Sequence, residues 1–332
     1  MTSKGIDKKI QQLGDIIENG EATAIMKAIS KALKEKNNFL VARAARWCGE
    51  SLCYDLIPIL TEAYPLFLDK PLEKDKTCVA KRAIAKALYE LDYDNASFYL
   101  EGSRYFQREP GWGGYTDSAV ELRCTCAYGI AASNDYRMML ELLSVLHDPE
   151  YQVRMGALRA MEMAQPFQAE LAIRHKILQG DEEPEVIAQA FSSLLKVDFE
   201  ASLDFVAAYI RENISLSPSG NDGYYPAAAI ALGESRSTEA SEILLIAAEA
   251  QAQFHPHKNA LFQAMALSGF EAGLDFLIAA ISGEDIDAAG HAIEALSIYD
   301  YRKDLSEQVQ TLVESRGIDT LQRRLQRFWG AN

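Results

Sequence analysis

Little in this chain of 332 residues is suited to catalysis. It has five histidines, at positions 147, 175, 255, 257 and 291, and none is followed by glutamate. No G-x-S-x-G is present to place a nucleophilic serine on a strained turn, and no G-K-[ST] follows a strand to cradle a phosphate. No C-x-x-C occurs. Cys124 and Cys126 lie two apart on a helical pattern, so they point to nearly opposite sides and cannot share one ion. His255 and His257 flank a proline with no third ligand nearby, and read as a polar turn before a helix. No catalytic residue, metal or cofactor is expected. Apolar runs stop short of the 18 or so residues a membrane helix needs, so no membrane association is expected. Five cysteines, an odd number, and an opening stretch without a signal-like apolar core favour reduced thiols in the cytoplasm.

Positive charge is also scarce, and unevenly so. The net charge is −15. Residues 1–109 carry 17 basic and 16 acidic side chains, residues 110–180 carry 6 and 8, and residues 181–332 carry 10 and 24. Such an acidic C-terminal half repels phosphate backbones, which disfavours nucleic acid. It keeps the chain soluble and suits a protein partner with a basic surface.

What the chain does have is helical periodicity that repeats. In "LLSVLHDPEYQVRMGALRAMEMA" (142–164), leucines close one amphipathic helix and Asp148-Pro149 breaks it. Val153, Ala157, Leu158 and Met161 then form one stripe on a second helix. Asp148 is placed to cap that helix, with Pro149 in its first turn. The same register returns elsewhere. Val41, Ala45 and Cys48 make one stripe, Val79, Ala83, Ile84, Ala87 and Leu88 another. Val120, Cys124, Ala127 and Tyr128 make a third, and Val186, Ala190, Phe191 and Leu194 a fourth. The leading valines are 38, 41, 33 and 33 residues apart, a period that belongs to stacked helical hairpins.

Asp148, Pro149, Val153, Arg154, Ala157 and Ala160 resemble the HEAT repeat, and the resemblance extends over residues 20–300. It implies an all-α, right-handed α-solenoid of about eight HEAT-like hairpins. Residues 1–20 form an N-terminal capping helix, residues 21–300 one continuous array, and residues 301–332 C-terminal capping helices. In that cap Leu321, Leu325 and Phe328 are spaced as one stripe. Arginine follows the valine directly only at Arg154, which argues against a regular Asp–Arg ladder.

A HEAT-like scaffold implies a protein-interaction adaptor without catalysis. Its working surfaces would be the concave second helices and two long aromatic links. "REPGWGGYTD" (108–117) carries Trp112 and Tyr115, and "SPSGNDGYYP" (217–226) carries Tyr224 and Tyr225. Exposed Trp and Tyr are favoured interface anchors. The alternative is a DNA-binding or glycosylase-like HEAT enzyme using Arg43, Arg46, Trp47 and Arg82 on a basic N-terminal face. The chromophore-lyase HEAT proteins offer a third likeness, by fold alone. The absence of any His-Glu dipeptide separates the chain from the iron-binding hydroxylases of this architecture.

Overall fold

The computed structural model describes residues 3–133, 136–211, 224–250 and 257–329. It is 79% helical, with 20 α-helices and one two-stranded sheet among the described residues. None of those helices is long and apolar enough to cross a membrane. The chain divides into two compact units, residues 1–164 and 165–332.

In the first unit, α1 (Ser3–Asn19) and α2 (Ala22–Leu33) pack together, and both meet α3 (Asn38–Glu50). Asn37 caps α3 by accepting a bond from the Leu40 amide. Next come α4 (Ile57–Ala63) and the short α5 (Pro71–Lys74), then α6 (Val79–Glu90) and α7 (Ala96–Ser103). After the strands β1 (Arg108–Gly111) and β2 (Gly114–Asp117) follow α8 (Val120–Ala132), α9 (Met138–Val145) and α10 (Tyr151–Met161). Helices α3, α6, α8 and α10 pack side by side in that order, and α4, α7 and α9 lie against them as an outer row. Val41, Val79 and Val153 are buried on this inner row, as the register requires.

The expected stripe of α8 is displaced. Val120, Cys124 and Tyr128 are only half-buried, whereas Leu122, Arg123, Cys126 and Ile130 face the core with Ala127. Buried Arg123, turned inward to Asp117 and Asp148, sets this rotation. Glycine allows the close approach of α7 and α8: the Tyr99 ring lies where a Cβ on Gly129 would stand.

The second unit has five helix pairs. They are α11 (Pro166–Gln179) with α12 (Pro184–Val197), α13 (Phe199–Arg211) with α14 (Tyr224–Ser235), and α15 (Thr238–Ala250) with α16 (Lys258–Ser268). Then come α17 (Glu271–Ser282) with α18 (Ile286–Leu296), and α19 (Lys303–Arg316) with α20 (Asp319–Trp329). The even-numbered helices contact one another in succession, and so do α13, α15, α17 and α19. Gly233 brings α14 onto the Ala264 backbone of α16, with no room for a Cβ between them. At the end, Leu321 is buried while Leu325 and Phe328 are half-buried. The Trp329 indole donates to the Ile293 carbonyl of α18 at 2.9 Å. Thus α20 covers the last inner helix.

Leu158 is fully buried on α10. Leu158→Ala is therefore expected to destabilise the protein by about 2–5 kcal/mol. Denaturant melts check this, and a loss below about 0.5 kcal/mol would contradict the register.

Candidate functional site

The segment 108–117 is not a loop. It is a β-hairpin in which Arg108 pairs with Asp117, Glu109 with Thr116, Pro110 with Tyr115 and Gly111 with Gly114. Trp112 and Gly113 make the two-residue turn, and Gly113 takes a left-handed φ of 87° that favours glycine. A Cβ on Gly113 or Gly114 would meet nothing, so the tip stands clear of the body. Trp112 is fully exposed, with 109% relative accessibility, and Tyr115 is 77% exposed.

The base of this hairpin is as enclosed as the tip is open. Glu109 is buried and accepts from the Thr77 amide at 2.6 Å, the Ser118 hydroxyl at 2.6 Å and the Gln107 side-chain amide at 2.7 Å. Gln107 also donates to the Asp75 carbonyl at 2.8 Å. Asp75 in turn accepts from the Ala80 and Lys81 amides at the start of α6, and from the Lys81 ammonium at 2.8 Å. Lys81 has no exposed surface. It donates as well to the Phe67 carbonyl at 3.1 Å and lies over the Tyr105 ring. These bonds hold Thr77 and Cys78 in consecutive left-handed conformations, with φ of 61° and 53°.

On the other side of the base sits Arg123. It too is fully buried. Its guanidinium grips Asp148 through two bonds, of 2.7 and 3.1 Å, and bonds Asp117 at 2.6 Å and the Tyr105 carbonyl at 3.1 Å. Phe106 covers it, with the guanidinium carbon 4.1 Å from the ring centre. A fork of donors matched to two carboxylates is the arrangement in which buried arginine is best satisfied.

The Asp148-Pro149 turn is corrected by the same contact. Asp148 does not cap α10, which begins at Tyr151 after Glu150. Its carboxylate is drawn inward to Arg123 and also accepts from the Glu150 amide at 2.9 Å. Arg154 instead donates to the Asp148 and Pro149 carbonyls. An inter-hairpin Asp–Arg pair does exist here, but its arginine comes from α8, two places beyond the expected register. Lys258 and Asp285, 2.8 Å apart, make a similar link between α16 and the cap of α18.

The network tunes its carboxylates. Burial pushes Glu109 upward, but the Ser118, Gln107 and Thr77 bonds outweigh it, and its pKa lies below the ordinary value. Burial likewise opposes Asp117, and the Ala119 and Gln107 amides with Arg123 bring its pKa below normal. A carboxylate depressed in the folded state stabilises the fold above its unfolded pKa, and that contribution is lost as pH falls through the folded one. The protein is therefore expected to keep full stability above about pH 5 and to lose it progressively below about pH 4. Substituting both Glu109→Gln and Asp117→Asn should flatten that decline in thermal melts across pH. An unchanged acid slope would contradict the assignment.

The other candidate residues are placed differently. Tyr225 is fully buried and stacks on His257, with ring centres 5.3 Å apart. Tyr224 is half-buried and packs on Phe191 and Tyr209. Neither is an exposed anchor, because the alanine-rich α14 leaves room for rings to fill the core. Residues 212–223, the rest of that second aromatic link, and His255 lie outside the described residues.

On the inner helices of the first unit, the Arg43 guanidinium packs over Gly14 of α1. Trp47 is half-buried. Arg46 and Arg82 line a cavity of about 160 Å3 together with Lys86, Glu50, Glu90 and Glu121. Arg82 is paired with Glu121 at 2.8 Å, and Lys86 approaches Glu90 at 3.6 Å. The three cations of this cavity are matched by three carboxylates, so it is not a continuous positive track. All five cysteines are free, and among the described residues no group of three His, Cys, Asp or Glu is arranged to hold a metal ion.

No protein-family model matches the chain, and no curated protein is significantly similar to it.

Proposed function

We propose that this chain is a protein-interaction scaffold: a HEAT-like α-solenoid whose β-hairpin presents Trp112 and Tyr115 to a partner protein. The observation that carries this reading is the contrast within one hairpin. Two large aromatics stand in water at the tip, while the base is held by two buried cations and four buried carboxylates. Exposed aromatics cost solubility and fill no core here, and a rigid mount lowers the entropy lost when they dock. The succession of inner helices and the inter-hairpin links at Arg123–Asp148 and Lys258–Asp285 support the solenoid. The glycosylase-like alternative loses support, since Arg82 and Lys86 face carboxylates and duplex binding needs several phosphate contacts along a track.

The test is affinity capture from the native host with the wild-type chain and a Trp112→Ala, Tyr115→Ala variant. Both substitutions are at exposed positions, so the variant should melt within about 0.5 kcal/mol of wild type. At least one partner is expected to disappear from the variant. Identical partner lists would contradict the hairpin as the working surface.

A further inference from the structure

The hairpin's outward face has a charge opposite to that of the molecule as a whole. Alternation along β1 puts Arg108 and Pro110 on one face, and the cross-strand partners add Tyr115 and Asp117 to it, the Asp117 carboxylate being bound to Arg123 at the base. The Arg108, Pro110 and Tyr115 side chains are exposed, and Trp112 continues the row at the tip. Phe106, two residues before Arg108, is 47% exposed over the guanidinium of Arg123. The carboxylates of this region are spent inward: Glu109 on Thr77, Gln107 and Ser118, and Asp117 on Arg123. Among the described residues the Arg108 side chain makes no hydrogen bond or ion pair. Lys76, also exposed, lies close enough to act on Glu109 from the body. An aromatic and proline platform with an unpaired cation therefore projects from a unit that is nearly neutral, with 21 basic and 23 acidic side chains in residues 1–164.

We infer that this face docks an acidic linear peptide of a partner protein, with an apolar side chain lying on Pro110, Tyr115 and Trp112 and a carboxylate on Arg108. This rests on the hairpin being an interaction site, and it names what that site selects. Charge complementarity fixes the peptide's sign: Arg108 is the free charge on this face, and guanidinium matches carboxylate in a forked pair. A single strand of nucleic acid could also stack on aromatics, but it needs a run of cations along its backbone, and here one arginine stands in the row. A second copy of this chain is disfavoured by a net charge of −15 on each.

Random linear peptides displayed on phage are selected against the full chain at low salt, and the enriched peptide is made with a fluorescent label. Its binding is measured by polarisation against the wild type, Arg108→Glu, and Trp112→Ala, Tyr115→Ala. A labelled random single-stranded RNA 12-mer is the parallel probe. Enriched peptides are expected to carry Asp or Glu within a residue or two of an apolar side chain. Arg108→Glu should weaken binding at least about tenfold, equivalent to the loss of one charged hydrogen-bonded pair. A repeat selection on Arg108→Glu should then favour Lys and Arg. Loss of binding with the aromatic variant but not with Arg108→Glu would overturn the acidic specificity and leave the interaction site standing. Binding unaffected by both, or no enrichment at all, would overturn both. RNA bound more tightly than the peptide would overturn the peptide assignment.

Discussion

Replacing Arg123 with methionine is expected to destabilise the protein by about 3–5 kcal/mol, because it leaves two buried carboxylates without their cation. Asp148 would lose two bonds and keep the Glu150 amide. Asp117 would keep the Gln107 and Ala119 amides. The Tyr105 carbonyl would lose a donor as well. Methionine has similar length and adapts to irregular space, so the loss reads charge and hydrogen bonding more than volume. Adding Asp148→Asn should recover part of the loss, since a neutral amide is less costly to leave unpaired in the core. Denaturant melts of the single and double variants check this. A single-variant loss below about 1 kcal/mol would show that water reaches the pair.

Lys81→Met is the companion expectation, again about 3–5 kcal/mol. Here the groups that lose a donor are one Asp75 oxygen, which keeps the Lys81 amide, and the Phe67 carbonyl. Asp75 keeps the Ala80 amide on one oxygen and the Lys81 amide on the other, and the NH2 of an asparagine cannot accept, so Asp75→Asn in the same chain should restore less stability than Asp148→Asn does beside Arg123→Met. The ranking of the two rescues is the informative readout, and equal rescue would contradict the bond assignment. Because Asp75 and Gln107 connect Lys81 to the hairpin, Lys81→Met should also loosen the backbone around Thr77 and Cys78.

How much of this was legible beforehand differs from element to element. The valine register over Val41, Val79, Val153 and Val186 reads directly, because apolar periodicity and burial follow from the same helix geometry. At α8 the register slips, since an arginine sits where periodicity expects solvent. A polar side chain is assigned to the core only once its partners are known, and Asp117 and Asp148 lie 6 and 25 residues away. Lys81 is hidden from the sequence for the same reason.

The segment does not read as a hairpin because its strands are only four residues long and carry Pro110, Gly111 and Gly114, with Gly113 in the turn, a composition that reads as loop. The signal that could have revealed it is the opposite-charge pair Arg108 and Asp117, symmetric about the Gly111–Gly114 turn, beside β-favouring Tyr115 and Thr116. Tyr224 and Tyr225 illustrate the opposite error. Their neighbours 212–223 suggested an exposed link, yet both rings start a helix and pack inward. Exposure is a tertiary property, and a Gly-Pro-aromatic composition does not specify it.

The central claim is that the hairpin is a preformed, clamped arm rather than a mobile loop that orders on binding. Hydrogen exchange of the isolated full chain tests it directly, through the peptide spanning residues 105–119. Amides that point across the ladder or into the network, such as those of Glu109, Thr116 and Ala119, are expected to be protected with a stability near that of the first unit. That protection should collapse in Arg123→Met while Trp112 and Gly113 exchange freely in both proteins. Exchange of the whole segment at the rate of an unstructured peptide in the wild type would contradict the clamp, and with it the reason for placing the partner at Trp112.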